Sequence, residues 1–540
     1  REIPDMELGD YKLGCIFSPE AMANLKEFTR RLLTRRNPHT GLTLAEDPAL
    51  AGLSLVNENS FMFLYRKGAP KIQKLAEAQF AAWTKARSLA VTPQNRETLF
   101  HRFLIDAYRR SCNELTAFVR GLGVRAPLTD QNYIAAPEMT LQRRDYDYVD
   151  NHLYWDHPQF LGPAWSLPAK FNNCSVLNVR LLVPKAIAPS RVFGKPFTVT
   201  EFDFCYPNSF RSEGAPIFGA YAAMQDWDAV YRFAYSHNAK YMLTGDTTIT
   251  TFDTVNDPVR LLGERLGIAF FTRRDVAPSQ VSYPVAVPEN PWDYPWRGEY
   301  PQAACELMFF GKVGSVGYGN GGFNPALPAD SRLVYSLDRE LNSRDTALPV
   351  FNAPDFSRLV EGMQERRLLS PGQADLKRQR FQSSTGELTA DFSRKTFTAV
   401  TSRSEALVVP EGETVKGTFL SAECRKNFAT VGVIALDGKP LARSGRLLLL
   451  HLADVKAETI AFTAPDCKVM TSGGDGQLLA RRAIAGIRLN ATGSGWKLYR
   501  LALTGKRLGT VEFQQDENGI AFTADTFHNS DVVFAYELVR

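Results

Sequence analysis

The segment that most constrains the fold is residues 53–59, with the sequence Leu-Ser-Leu-Val-Asn-Glu-Asn. A short apolar run that stops abruptly at polar residues is typical of a buried parallel strand. In a (β/α)₈ barrel, the carboxyl ends of such strands form the active face. Asn57 and Glu58 follow the run directly, so we expect the apolar interior to desolvate the Glu58 carboxyl and raise its pKa, as a general acid at neutral pH needs.

Helical and strand patterns alternate through the first half of the chain. Amphipathic patterns and capping residues predict helices at 19–36, 69–89, 94–122, 214–237 and 258–271. Strands are expected to end near Glu58, Tyr133, His152, Glu201 and Leu243. Strands that alternate with helices imply a parallel sheet.

We interpret residues 1–275 as the C-terminal part, strands 4–8, of a (β/α)₈ TIM barrel. The first 57 residues hold one predicted helix and loops, which is too little for three strands with their crossovers. We therefore expect a preceding N-terminal segment, in the same polypeptide or as a separate chain, to supply strands 1–3.

The pattern changes in the second half of the chain. Residues 276–378 are rich in Pro, Trp, Tyr and Gly at their start, which predicts an irregular connecting region. The glycine run at 314–322 lacks the strand, Lys-Ser/Thr and helix of a phosphate loop, so we expect a flexible or packed surface loop. Short strands separated by Gly and Asp turns predict an antiparallel β-sandwich accessory domain over 379–540.

Composition excludes several classes of protein. A chain of 540 residues is expected to hold two or three domains. The net charge of +5 is spread without a basic block, so no nucleic-acid partner is predicted. The seven cysteines stand singly, without a CxxC pair or a Cys/His cluster, so no zinc site and no redox motif are predicted. No apolar run approaches the ~20 residues of a membrane-spanning helix.

Glu58 and Glu201 end two strands that lie 201 − 58 = 143 residues apart. Glycosidic cleavage needs such a pair, with one carboxyl protonated to release the leaving oxygen and one ionised. Either Glu alone is more often a surface ion-pair partner, so the pairing carries the prediction.

Three motifs, Asn57-Glu58, His152-Leu-Tyr154 and Thr200-Glu201, resemble those of the clan A glycoside hydrolases, which include families 5, 39 and 42. The likeness covers residues 1–275. It implies a retaining enzyme in which Glu58 is the acid/base and Glu201 is the nucleophile, about 5 Å apart. Neither the strand-two Arg nor the strand-eight Trp of that clan can be placed.

The resemblance also implies roles around the two carboxylates. Asn57 would bind the sugar hydroxyl beside the anomeric carbon, and His152 and Tyr154 would orient Glu201 or line the subsite. His152 could equally be a structural histidine. Three further residues are near enough in sequence to line the cleft: Trp155, Tyr206 and Asn208. Trp155 could instead belong to the core.

The sequence therefore predicts a retaining glycoside hydrolase that cleaves a β-linked poly- or oligosaccharide and needs no metal and no organic cofactor. An alternative is a non-catalytic glycan-binding protein on a degenerate barrel, which carboxyls more than ~10 Å apart would favour. A proton-abstraction enzyme would need a metal or a Lys base that the motifs do not supply. The sandwich suits secreted members of the clan, so secretion or a periplasmic location is expected.

Overall fold

The computed structural model describes residues 8–60, 70–289, 299–319, 322–338, 341 and 344–540. The expected elements that include residues 1–7, 61–69, 290–298 and 320–321 therefore lie partly outside the described residues. The helices are α1 (Leu8–Phe17), α2 (Pro19–Thr34), α3 (Pro70–Ala86), α4 (Arg96–Gly121), α5 (Pro137–Thr140), α6 (Leu182–Lys185), α7 (Gly214–Met224), α8 (Ala239–Leu243), α9 (Pro258–Phe270), α10 (Gln302–Glu306) and α11 (Phe356–Glu365).

Local capping explains two of these helix starts. Ser18 accepts a hydrogen bond from the Ala21 N–H ahead of α2, and Asp257 accepts from the first turn of α9. Both helices have Pro at their first position, where its missing N–H costs nothing. The predicted starts of these two helices are confirmed.

The strands of the first part are β1 (Leu53–Ser54), β2 (Leu128–Thr129), β3 (Val149–Trp155), β4 (Gln159–Phe160), β5 (Ala169–Lys170), β6 (Phe197–Phe204) and β7 (Ala229–Arg232). β1 pairs with β2 in parallel, and β3, β6 and β7 form a parallel sheet in that order. The Asp147 and His152 N–H groups donate to Leu128 O and Asn132 O, each at 3.0 Å, and so join β2 to β3. The carboxyl ends of these strands therefore share one edge.

The last parallel strand was expected at residues 239–243, and that expectation is wrong. α7 ends at Met224, β7 occupies Ala229–Arg232, and Ala239–Leu243 is a helix. Asp226 takes the left-handed position (φ 55°) that usually marks a helix end with Gly. The apolar pattern continues past this point without Gly or Pro, so the sequence shows no stop.

Residues 276–378 are not irregular where the structure describes them. They contain a sheet of β8 (Ser282–Pro288), β9 (Lys312–Gly319), β10 (Gly322–Asn324), β11 (Val334–Ser336) and β12 (Val350–Phe351), ordered β10-β9-β8-β11-β12. The pairings are parallel except for the β9–β10 hairpin. The glycine run lies mostly in β9, where a Cβ on Gly314 would meet the Phe193 ring at 3.1 Å. Close packing, rather than a surface loop, explains that glycine.

The C-terminal part is antiparallel, as predicted. Its strands are β13 (Ala374–Asp375), β14 (Arg380–Gln382), β15 (Leu388–Asp391), β16 (Thr396–Val400), β17 (Ser404–Val409), β18 (Thr414–Lys416), β19 (Leu420–Lys426), β20 (Ala429–Ala435), β21 (Arg446–Leu452), β22 (Val455–Ala457), β23 (Ala461–Phe462), β24 (Val469–Ser472), β25 (Leu478–Ala480), β26 (Ile484–Leu489), β27 (Lys497–Leu501), β28 (Arg507–Thr510), β29 (Gln514–Asp516), β30 (Gly519–Asp525), β31 (Phe527–His528), β32 (Asp531–Val532) and β33 (Ala535–Val539). A ten-stranded sheet and a five-stranded sheet share a buried apolar core.

The first part and the C-terminal part are packed together through α7 and α9. Gly219 of α7 faces Gly267 of α9 so closely that a Cβ on Gly219 would lie 2.8 Å from the Gly267 Cα. Leu266 of α9 in turn packs on Gly432 of β20. One apolar core runs from β3 through these helices to the ten-stranded sheet.

Two further findings concern membrane-spanning helices and the state of the cysteines. Across the described residues, every helix is too short or too polar to cross a bilayer. Each of the seven cysteines carries a free thiol.

We predict that Gly219→Ala lowers the free energy of unfolding by about 1–3 kcal/mol, because the new methyl would press on backbone atoms that cannot rotate away. Gly263→Ala in α9 is the matched control, since its Cβ would have only ordinary contacts at 3.7 Å. That change should be neutral or raise stability by about 0.5–1 kcal/mol through helix propensity. Chemical unfolding followed by circular dichroism measures both, and equal effects of the two variants would contradict the close helix contact.

Candidate active site

Glu58 lies just beyond β1 in a conformation that its neighbours impose. Its φ is 50°, in the left-handed region that non-glycine residues seldom occupy. Its N–H donates to Asn132 Oδ1 at 2.7 Å, and Asn132 follows β2. Backbone strain of this kind clusters at functional sites, and here it aims a carboxylate over the strand ends.

Glu201 owes its direction to an extra residue in β6. The pairing with β3 runs Asp150↔Thr198 and then His152↔Glu201, so β6 advances three residues while β3 advances two. The pairing with β7 shifts over the same interval. Such a bulge re-aims side chains, and bulges are common beside active sites. It places Thr200 and Glu201 on one side of the sheet instead of opposite sides.

His152 joins the two carboxylates. Its Nδ1 lies 3.2 Å from Glu58 Oε1 and 3.5 Å from Glu201 Oε2. The three groups each offer an atom within 4.8 Å of the other two. The His152 side chain is 1% exposed, whereas those of Glu58 and Glu201 are 33% and 16% exposed. Both carboxylates can therefore be reached from solvent, and the imidazole cannot.

A buried hydrogen-bond chain fixes the tautomer of His152. Its Nε2 lies 3.0 Å from the Thr200 hydroxyl, and that hydroxyl donates to Asp150 Oδ2. Thr200 Oγ1 therefore accepts the Nε2–H. Asp150 is itself held by the Thr198 hydroxyl and by the Thr200 N–H. The second ring nitrogen, Nδ1, is left facing two carboxylates, which favour a second proton there.

The charges around His152 decide its protonation. Burial lowers the pKa of the imidazole, but the hydrogen bonds and charges of Asp150, Glu58 and Glu201 outweigh burial and raise the pKa to about 9. At neutral pH His152 is therefore an imidazolium among three acidic side chains.

The expected rise in the pKa of Glu58 is wrong. The hydrogen bond from His152 lowers the pKa of that carboxyl, and burial opposes this effect without cancelling it. The charge of Lys12 in α1 also lowers the pKa of the Glu58 carboxyl. Its Nζ lies 3.5 Å from the Glu58 carbonyl oxygen. Sequence reasoning could not find this lysine, because α1 reaches the site only through the tertiary fold.

Tyr154 brings a hydroxyl to the second carboxylate. It donates a hydrogen bond to Glu201 Oε2, and the contact with Glu201 contributes, after burial, to raising the pKa of the phenol. The Tyr154 ring packs edge-on against Phe233 and Phe252, with centroids 6.1 Å and 5.5 Å away. Phe233 directly follows β7, the last strand of the β3-β6-β7 sheet, where the sequence offered no Trp.

Three of the expected substrate contacts lie elsewhere. Trp155 alternates to the opposite side of β3 from Tyr154, is 3% exposed and donates its indole N–H to Cys174 O. Tyr206 is buried and accepts a hydrogen bond from the Ala457 N–H of the C-terminal part. Asn208 is buried and binds Asp156 at 2.7 Å. None of the three faces the carboxylates, because sequence proximity does not fix on which side of a strand a residue lies.

Asn57 stays beside the site, with its Oδ1 3.5 Å from Asn132 Nδ2. Sequence reasoning missed Thr200, Asn132 and His157 as neighbours of the carboxylates. Thr200 had one visible signal, its position directly before Glu201 in the strand motif.

The Glu58, His152 and Glu201 atoms also form the one cluster in the described residues that could hold a metal ion. Metal ligation needs a neutral imidazole. The surrounding carboxylates stabilise the protonated ring instead, so the arrangement suits an ion-paired proton better than a cation.

We predict that His152 titrates near pH 9 in histidine-labelled NMR spectra, because three carboxylates stabilise its charged form. Glu58→Gln removes one of these charges and should lower that pKa. Buried His451 of β21, whose pKa desolvation lowers to about 4, is the control that should not change. A wild-type pKa near the ordinary value of ~6.5 would contradict the ion-paired site.

The same shift predicts how stability depends on pH. Because the folded pKa exceeds the unfolded value of ~6.5, the stabilisation from His152 is complete below that pH. It is lost as the pH rises through about 9. Glu58 has the opposite sign, so its contribution is lost as the pH falls through its lowered pKa.

No protein-family model matches the chain, and no curated protein matches it. Among solved structures, the chain is similar to a cold-adapted β-galactosidase from Rahnella sp. R3, at 11% identity over 95% of this chain and 82% of that one, with a TM-score of 0.36. It is also similar to an exo-carrageenase from Bacteroides ovatus, at 9% identity over 86% and 63%, with a TM-score of 0.33. An endo-1,4-β-mannanase from Rhizomucor miehei matches at 13% identity over 47% of this chain, with a TM-score of 0.30, and the chain spans 63% of its length.

Proposed function

We propose that this chain carries both catalytic carboxylates of a retaining glycoside hydrolase that cleaves β-glycosidic bonds of a poly- or oligosaccharide. The observation that carries the proposal is the approach of Glu58 and Glu201, whose nearest carboxylate oxygens lie within 4.8 Å of each other. Retaining enzymes hold their carboxyl groups about 5–5.5 Å apart, whereas inverting enzymes leave room for a water at about 6.5–9.5 Å.

We assign β1, β2, β3, β6 and β7 to strands 4–8 of a (β/α)₈ barrel. On this assignment Glu58 follows strand four, His152 and Tyr154 lie on strand six, and Glu201 lies on strand seven. The described residues pair β1 only with β2 and β7 only with β6, which leaves two free edges for strands 1–3. The proposal includes a further segment, in the same polypeptide or another, that supplies them.

In the first step Glu201 attacks the anomeric carbon, and the bond to the leaving oxygen breaks. The hydrogen bond from Tyr154 keeps the attacking carboxylate oriented. The leaving oxygen needs a proton, and the Glu58–His152 pair holds one between Oε1 and Nδ1 at 3.2 Å. A bound sugar displaces water, and desolvation favours the neutral pair, with the proton on Glu58, over the ion pair.

In the second step water hydrolyses the glycosyl ester on Glu201. Glu58, now ionised, removes a proton from the attacking water, and the Glu201 carboxylate leaves. The proton can then return from Glu58 to His152 Nδ1, because Nε2 stays bound to Thr200 throughout. His152 thus holds the proton between turnovers, gives it up in the first step and regains it after the second, and its side chain is only 1% exposed. Asn57, exposed beside Glu58, is assigned to the sugar hydroxyl next to the anomeric carbon.

A non-catalytic glycan-binding protein is the alternative from another class. A binding site has no need for two carboxylates against one buried histidine, an arrangement that costs desolvation and backbone strain. The short separation of Glu58 and Glu201 therefore favours the enzyme.

We predict that Glu201→Gln abolishes turnover of aryl β-glycosides and of polysaccharides alike, because both steps pass through that carboxylate. Glu58→Gln should slow substrates with poor leaving groups by about 10²–10⁴ and aryl substrates with good leaving groups much less in the first step. Steady-state and burst kinetics on a panel of 4-nitrophenyl β-glycosides and polysaccharides measure both effects.

Glu46→Gln is the matched control, since Glu46 is an exposed glutamate that caps its own loop through Thr43. It should leave all rates unchanged. Turnover of Glu201→Gln at the wild-type rate would remove the nucleophile assignment, and sugar binding without any turnover by the wild type would favour the alternative.

We also predict that dialysis against EDTA leaves the activity unchanged, because the proposed steps use a proton on His152 rather than a cation. Added Zn²⁺ should inhibit by competing for the Glu58, His152 and Glu201 atoms, and less so at lower pH, where the imidazole is held protonated. Loss of activity in EDTA with recovery on adding a divalent metal would overturn the metal-free mechanism.

A further inference from the structure

The loop after β3 presents an exposed aromatic surface beside the carboxylates. Trp165 lies at its tip and is 71% exposed, and Leu161 and Leu167 on the same tip are 58% and 40% exposed. A cluster of large apolar side chains left in water on one short loop usually marks a binding surface. The backbone of Trp165 has φ 64°, so the residue is held in a conformation that a tryptophan rarely adopts.

Ring contacts connect Trp165 to the site. Its centroid lies 6.1 Å from that of His157 and 6.2 Å from that of Phe252. Both of these rings pack on Tyr154 at 5.5 Å, and Tyr154 holds Glu201. His157 is also close enough for its charge to lower the pKa of Glu58. The exposed indole therefore contacts His157 and Phe252, and both of these rings contact Tyr154, which binds Glu201.

The C-terminal part builds the support of this loop. β4 and β5 flank the loop that holds Trp165, and β5 pairs with β24 through Ala169↔Met470. The resulting sheet, ordered β23-β24-β5-β4, joins residues about 300 positions apart in the chain. The Phe171 N–H donates to Lys468 O at 2.7 Å and extends the junction.

Side chains complete the support. Met470 is buried with Ala169 and Phe171, and Phe160 and Phe462 pack against that group. Phe160 in turn lies 5.3 Å from Trp165, centroid to centroid. A continuous line of contacts therefore runs from the hairpin of β23 and β24 to the exposed indole.

We propose that Trp165 is the platform for a second sugar ring of the substrate, and that the hairpin Ala461–Ser472 of the C-terminal part is a positioning element for it. The proposal rests on the proposed function and extends it to substrates of at least two sugars. Pyranose rings present an apolar face of C–H groups that stacks on an exposed indole, and a protein surface of this size and exposure beside a reaction site suits such a ring. The C-terminal part then helps to select the substrate, in addition to bracing the fold.

The test compares Trp165→Ala, Trp165→Phe and the wild type on β-linked trisaccharides of glucose, mannose and galactose, with the free monosaccharides as inhibitors. For the sugar that the wild type cleaves, Trp165→Ala should raise KM for the trisaccharide by about tenfold, and the monosaccharide inhibition constant should stay within about twofold. Trp165→Phe should recover most of the loss. Phe28→Ala, which removes a similarly exposed ring from α2 (63% exposed), should leave both constants unchanged.

Met470→Ala tests the positioning role. It should raise KM for the trisaccharide in the same direction while leaving the pH profile of kcat unchanged, since the Glu58–His152–Glu201 cluster is untouched. Met363→Ala, a buried methionine of α11 outside this sheet, should lower stability without changing KM. An unchanged KM in Met470→Ala would overturn the role of the hairpin.

The outcomes separate the two proposals. If the wild type cleaves a trisaccharide, Glu201→Gln does not, and Trp165→Ala equals the wild type, then only the platform is refuted. If the Glu201→Gln variant binds trisaccharides in titration calorimetry no better than monosaccharides, the platform is refuted independently of catalysis. If no sugar of the panel binds or is cleaved, the proposed function and the platform both fail.

Discussion

The site depends on one irregularity, the extra residue in β6. Phe197 and Val199 before it, and Phe202 after it, all pack into the apolar core on the helix side. In an unbroken strand Val199 and Phe202 would point to opposite faces, because the side-chain period is two. The bulge absorbs the difference, so the core keeps its aromatic residue against α7 while Glu201 turns toward His152. The extra residue in β6 therefore lets Phe202 pack in the core while Glu201 points toward His152.

Once the carboxylates are this close, their charge has to be balanced. Two ionised groups within 4.8 Å of each other repel, and the buried imidazolium of His152 is what makes the arrangement stable. This balance means that Glu58 cannot have a permanently raised pKa in the free site. In the proposed mechanism Glu58 therefore obtains its proton from His152 when substrate binds, and the Glu58–His152 pair titrates as a unit whose protonation belongs to neither residue alone.

Features set by neighbouring residues in the chain could be predicted from the sequence. Features set by contacts between distant residues could not. That Glu58 and Glu201 come close together could be predicted, because apolar runs that stop at an acidic residue are visible in the chain. The sign of the Glu58 pKa shift could not, since it comes from His152, 94 positions away. The choice between cleft and core for Trp155 could not be made, because the side of a strand on which a residue lies depends on register. The strand β7 could not be predicted, because Asp226 ends α7 without the usual glycine. The antiparallel C-terminal part was predictable from its turns. Its contact with the loop beside the site, through the pairing of β24 with β5, was not.

Buried ion pairs, as well as sheet pairing, hold the C-terminal part against the first part of the chain. Arg211, which follows β6, is fully buried and binds Asp257 at the start of α9 and Asp454 of the C-terminal part, the latter at 2.5 Å. The same guanidinium also donates to Asn208 O at 3.1 Å and to Val455 O at 2.8 Å. Removing one partner of a buried ion pair leaves an uncompensated charge, at a cost of about 3–5 kcal/mol. The segment that follows the Glu201 strand and the C-terminal sheets therefore cannot separate without leaving the Arg211 guanidinium without one of its partners.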